Sequence, residues 1–197
     1  MTPKDWAILA QDAYSSTPDI GDENSAARVC FVQSDEGLTL SIPGTNNPAC
    51  LVADLEALTF NAGDCGEVHR GIWEAFDTVW LDVSQLPVHA LVGHSEGASG
   101  ALYLGARLCL LGKAPKIIYA FESPRTSTDT KLAELFVKYG VELHVMHHGK
   151  DIVPDVPVTL PELDWQHCAP LTQFRNAALP FPNLIDHEIA NIIADLA

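Results

Sequence analysis

The residues that could do chemistry gather around one serine. Residues 91 to 100 read LVGHSEGASG, so Ser95 stands with Gly93 and Gly97 two positions away on either side. A serine hydroxyl is a weak nucleophile near neutral pH, and it attacks a carbonyl only when a positioned base takes its proton and a third group orients that base. Where a strand turns sharply into a helix, GxSxG exposes the serine on a strained backbone, and side chains in place of the glycines would collide. The pentapeptide alone recurs in chains that hydrolyse nothing, so its partners and surroundings carry the reading.

At such an elbow the partners follow in the order serine, acid, histidine. Asp151 comes after the run VELHVMHHGK and opens DIVPDVP, whose prolines would fix the loop carrying its carboxylate; Asp155 is the alternative acid. His187, the final histidine, lies between a proline-rich stretch and the last amphipathic stripe and is the expected general base, with His167 as its competitor. An acyl-transfer oxyanion needs donors fixed in advance, normally the amide after the nucleophile and one from an earlier strand-end loop. Those are Glu96 and Thr45, the latter in SIPGTNN, where Gly44 allows a tight bend. His144, His147 and His148 beside Asp151 suggest a metal site, but a period of two puts His147 on the opposite strand face, so no metal is expected. His69 and Arg125 read as structural anchors.

The elements that must position these groups follow from periodicity. ARVCFVQS and GLTLSIPG are β-rich runs around a turn at Asp35-Glu36-Gly37, and VHALVGH suits a strand buried on both faces. SEGASGALYLGARLCLLG then reads as a helix stopped by Gly112, and the alternation repeats as strand KIIYAFES, helix TDTKLAELFVKYG and strand VELHVMHH. Trp73, Phe76, Trp80 and Val83 form one helical stripe, and Ile185, Ile189, Ile192 and Leu196 another. Strands alternating with helices predict an α/β fold, a mainly parallel central sheet flanked by helices, with the site at the carboxyl ends of the strands. The proline-rich stretch from Asp151 to Asn183 reads as a long ordered loop.

With 197 residues and 47% hydrophobic content the chain is expected to form a single domain over 1–197. A formal charge of −15 argues against a nucleic-acid partner and against anionic lipid headgroups. No run approaches the ~18 apolar residues of a membrane span, so no stable membrane insertion is expected. Five cysteines at scattered spacings, with no CxxC pair and no recognisable secretion signal, point to free thiols and a cytoplasmic location.

The segments IPGTNN, VHRGIWEAF, VGHSEGASGALYL, FESPR and DIVPDVP occur in the order and rough spacing of the class 3 (fungal-type) lipases, which this chain resembles over about residues 28 to 157 plus His187. The resemblance implies an α/β-hydrolase fold, cleavage of carboxylic esters in an acyl ester or lipid substrate, and no cofactor. It places the nucleophile on Ser95, the acid on Asp151, the base on His187 and an oxyanion role on Thr45. Asn46 to Phe60, with Leu51, Leu55 and Leu58 along one helical side, occupies the place of the lipase lid. Three features depart from the family: the charged Glu96 beside the serine, HEIA without an aromatic after the histidine, and no secretion signal. They favour an intracellular esterase or lipase over a secreted digestive one. A catalytically inactive hydrolase-fold binding module is the alternative, and a thioesterase or other acyl hydrolase would use the same three groups.

Overall fold

The computed structural model describes residues 1–25, 27–46, 58–175 and 177–196. Its main sheet runs in the spatial order β1 (Cys30–Ser34), β2 (Gly37–Ile42), β5 (Val88–His94), β6 (Ile117–Phe121), β7 (Glu142–His148) and β8 (Leu171–Phe174). A separate antiparallel pair joins β3 (Thr59–Asn61) to β4 (Glu67–His69). β1 and β2 form the expected hairpin, with Ser34 opposite Gly37, and every later pairing in the main sheet is parallel.

Parallel neighbours need crossovers, and helices supply them. They are α2 (Arg70–Val83) before β5, α3 (Glu96–Leu110) between β5 and β6, and α4 (Lys131–Tyr139) between β6 and β7. All three cover one sheet face, where Phe76, Leu102 and Leu132 join Leu40, Leu91 and Ile118 in one buried cluster. On the other face α1 (Pro3–Asp12) and α5 (Ile189–Asp195) set Trp6, Ala10 and Ile192 against Val92, Phe121 and Met146. Each fully buried large apolar side chain contributes roughly 1.5–3 kcal/mol. With both faces covered, β5 reads as a nearly unbroken apolar run, as its sequence predicts.

α1 starts on a capping box: the Thr2 hydroxyl accepts the Asp5 N–H, and the Asp5 carboxylate accepts the Thr2 N–H. Its signal is Thr2 three residues before an acidic side chain, with Pro3 between them. α3 is buried almost all round, and Gly100 makes that possible, because a Cβ there would stand 2.1 Å from the Phe76 ring.

Two expectations are corrected. The stretch from Asp151 to Asn183 is not loop throughout: Leu171–Phe174 adds a parallel edge strand beside β7. Its four residues are too few and too exposed to show alternation. The last stripe begins later than its spacing suggests, because α5 starts at Ile189 and Ile185 is 49% exposed. The Asn183 side chain accepts the N–H groups of Ile185 and Asp186, which holds that stretch in a turn. On α2 the buried set is Ile72, Phe76, Val79 and Val83. Trp73 and Trp80 lie half-buried beneath the Arg107 guanidinium, at 5.1 and 4.2 Å. Among the described residues no helix is long and apolar enough to cross a membrane. The lid-like segment falls mostly outside them, since 47–57, with Leu51 and Leu55, are not described.

Candidate active site

β5 ends at His94, α3 begins at Glu96, and Ser95 is the single residue between them, at φ 59 and ψ −131. A non-glycine residue in that region is strained and persists only where its surroundings fix it. Here the Ser95 N–H donates to the Phe121 carbonyl at 2.9 Å, tying the elbow to the end of β6. The flanking glycines answer to close approach: a Cβ on Gly93 would lie 2.2 Å from the Gly97 oxygen, and one on Gly97 2.4 Å from the Ile42 and Pro43 oxygens.

The structure brings Ser95, His187 and Asp151 together. Ser95 Oγ lies 2.9 Å from His187 Nε2, and His187 Nδ1 lies 2.6 Å from Asp151 Oδ2. A carboxylate accepts only, so His187 Nδ1 carries the proton and Nε2 is free to accept from the serine hydroxyl. Asp151 Oδ1 accepts the Val153 N–H at 3.0 Å, and all three side chains are almost fully buried. The rivals lie elsewhere: Asp155 faces Arg125 at 3.6 Å, and His167 Nε2 donates to the Pro154 carbonyl. Arg125 also donates to the Pro157 carbonyl, the loop anchor its sequence suggests, and His69 caps α2 by accepting the Ile72 N–H.

The loop bearing His187 is bolted to the loop bearing Asp151. Asn183 N–H donates to the Lys150 carbonyl, and Ile152 N–H donates to that of Asn183. Asp186, 1% exposed, accepts from the Lys150 and Ala178 amides and from the Asn183 side chain. Burial alone would raise its carboxyl, but these donors hold it below the ordinary carboxylate range. Two buried imidazoles then grip the backbone: His148 Nδ1 donates to the Asp186 carbonyl at 2.7 Å, and His94 Nε2 to the His187 carbonyl at 2.9 Å.

His94 extends this hold toward Gly44. With Nε2 donating, Nδ1 accepts from the Tyr14 hydroxyl at 2.7 Å, and the Tyr14 oxygen accepts the Gly44 N–H at 3.0 Å. Burial, then the neighbouring His187, keeps His94 well below the usual imidazole range, and burial pushes Tyr14 up to about 12. Both therefore stay neutral near pH 7. Gly44 passes so close to the elbow that a Cβ there would meet Ser95 Cβ at 2.7 Å. Thr45 and His187 line the same cleft of about 220 Å³, with Tyr14, His94, Glu188 and Ile189 around them. Glu96 opens α3, whose first amides have no partner within the helix, and burial raises its carboxyl.

Sequence reasoning missed Tyr14, His94, Asp186 and Glu122, the last a fully buried carboxyl behind Asp151 at φ 51. His94 sits inside the elbow segment itself, but its partner Tyr14 is 80 positions away and carries no local signal.

The chain matches the family described as lipase (class 3) over residues 39–160, more than half its length. It is similar in structure to the lipase of Rhizopus microsporus var. chinensis at 21% identity, covering 81% of this chain and 68% of that one, with a TM-score of 0.62. The Rhizomucor miehei lipase in its propeptide complex is 16% identical over 92% of this chain and 76% of that one, at a TM-score of 0.70. The Lip2 lipase of Yarrowia lipolytica is 19% identical over 87% and 77%, at 0.66. Among curated protein sequences the chain finds no match. The structural likeness establishes an α/β-hydrolase fold, and with the match over residues 39–160 this chain belongs to the class 3 lipase family.

Proposed function

We propose that the protein is a serine carboxylic ester hydrolase that cleaves acyl ester or lipid substrates through an acyl-enzyme. The carrying observation is the unbroken path from Ser95 Oγ through the His187 ring to Asp151, built on a strained elbow. As Ser95 attacks the ester carbonyl, His187 Nε2 takes its proton, and Asp151 stabilises the imidazolium through Nδ1. The proton passes to the departing alkoxide, and water repeats the sequence on the acyl-serine. The oxyanion is received by the Glu96 amide, at the positive end of a 15-residue helix, and by the Thr45 amide across the cleft.

The chain acts as one domain over 1–197 on this reading, since α1 and α5 pack against one another beneath the same sheet face. A cytoplasmic location agrees with free, buried Cys30, Cys65, Cys109 and Cys168. The test is turnover of a p-nitrophenyl ester panel with matching thioesters, on wild type and Ser95→Ala. Wild type is expected to hydrolyse the esters and Ser95→Ala to lose at least roughly 10³-fold in kcat. Equal turnover by the two proteins would end the proposal.

A further inference from the structure

Glu122 leaves β6 with φ 51, a left-handed conformation that is costly for a glutamate, and its side chain is fully buried. Oε1 accepts the His148 N–H at 2.6 Å. Oε2 has no hydrogen-bond donor among the described residues, and the Glu122 side chain adjoins that of Asp151. Two adjoining carboxyl groups away from water do not both ionise, so one of them holds a proton. Asp151 accepts two donors, His187 Nδ1 and the Val153 N–H. Glu122 has a single backbone donor and one orphaned oxygen, so the proton belongs on Oε2.

We propose that Glu122 is a neutral carboxylic acid in the working protein, donating a hydrogen bond to the Asp151 carboxylate and so positioning the acid that orients His187. This rests on the triad reading above. Burial first, and then the charge of Asp151, raise the Glu122 carboxyl well above the usual range. Asp186 adds a second negative charge nearby. Asp195 on α5 sits between His148 and Arg175. A protonated Glu122 fixes Asp151 without placing another anion behind His187. An ionised one would add that anion beside the Asp151 carboxylate.

Glu122→Gln keeps a donor and an acceptor in the same shape, whereas Glu122→Leu keeps only the bulk. The infrared spectrum at neutral pH should contain a carboxylic-acid carbonyl stretch that disappears in Glu122→Gln. Glu122→Gln should retain kcat within about threefold and leave the acid limb of kcat/KM in place, while Glu122→Leu, folded by circular dichroism, loses at least about tenfold in kcat. A wild-type spectrum without that band, or an acid limb displaced by about one pH unit in Glu122→Gln, would overturn the proposal. Equal losses in the two variants would do the same. The infrared measurement needs no turnover, so it is decided independently of whether the protein hydrolyses esters.

Discussion

Tyr14→Phe removes one oxygen from the strut between Gly44 and His187. Two groups lose their partner together: the Gly44 N–H and His94 Nδ1, which bind the Tyr14 hydroxyl at 3.0 and 2.7 Å. Leaving a buried polar group unpaired costs about 1–3 kcal/mol, and His94 lies at the wall of the cleft, where water relieves part of its penalty. A total of about 2–4 kcal/mol is expected, which for a chain of this length lowers Tm by roughly 5–15 °C. The chemistry should suffer as well, because His94 holds the His187 carbonyl and Gly44 precedes the proposed oxyanion donor Thr45. A fall in kcat of about 10–100-fold with little change in KM is the expected signature of lost alignment. Calorimetry and steady-state ester kinetics read the two effects. A double-mutant cycle with His94→Gln should give losses far from additive, since both changes cut the same strut. If Tyr14→Phe matched wild type in Tm and kcat, or if the cycle were additive, the strut would carry no load and the reasoning would fail.

Other outcomes follow from particular contacts. Gly97→Ala places a methyl 2.4 Å from two backbone oxygens, neither of which can swing aside, so it should cost about 3 kcal/mol or more in urea unfolding and abolish ester turnover. Asp186→Asn should lose about 2–3 kcal/mol at pH 7, the worth of hydrogen bonds to a charged acceptor. The Asp186 carboxyl is depressed in the folded protein, so its contribution is fully present above the ordinary carboxylate range and is lost as pH falls from there through the depressed folded value. The stability gap between wild type and Asp186→Asn should accordingly close in acid. Burial raises Glu96, so it ionises late, and above that point its charge opposes the developing oxyanion. Glu96→Gln should therefore show a kcat/KM ratio to wild type that climbs with pH to roughly 2–5-fold.

Where the sequence spoke clearly, a local rule and a tertiary demand coincided. LVGHSEGASG announces an elbow because two glycines are needed where strand and helix backbones cross, and the same spacing is visible in one dimension. The parallel sheet was legible because β5 and β6 are buried nearly throughout and the strands alternate with helical stripes. What could not be read depends on distant residues. β8 exists because β7 offers an unpaired edge, not because Leu171–Phe174 has a strong pattern of its own. Ile185 fits a helical stripe, but Asn183 and Asp186 spend their hydrogen bonds on a turn that sets His187 against Asp151. Glu122 looks like an ordinary charged residue at a strand end until the chain folds and places it behind Asp151.

The central claim is that Ser95 is an activated nucleophile with His187 as its base. Intact mass after treatment with a fluorophosphonate, followed by peptide mapping, tests it most directly. One adduct per chain, on the peptide containing Ser95 and missing from both Ser95→Ala and His187→Ala, is the predicted result. An adduct on another residue, or full labelling of His187→Ala, would contradict it.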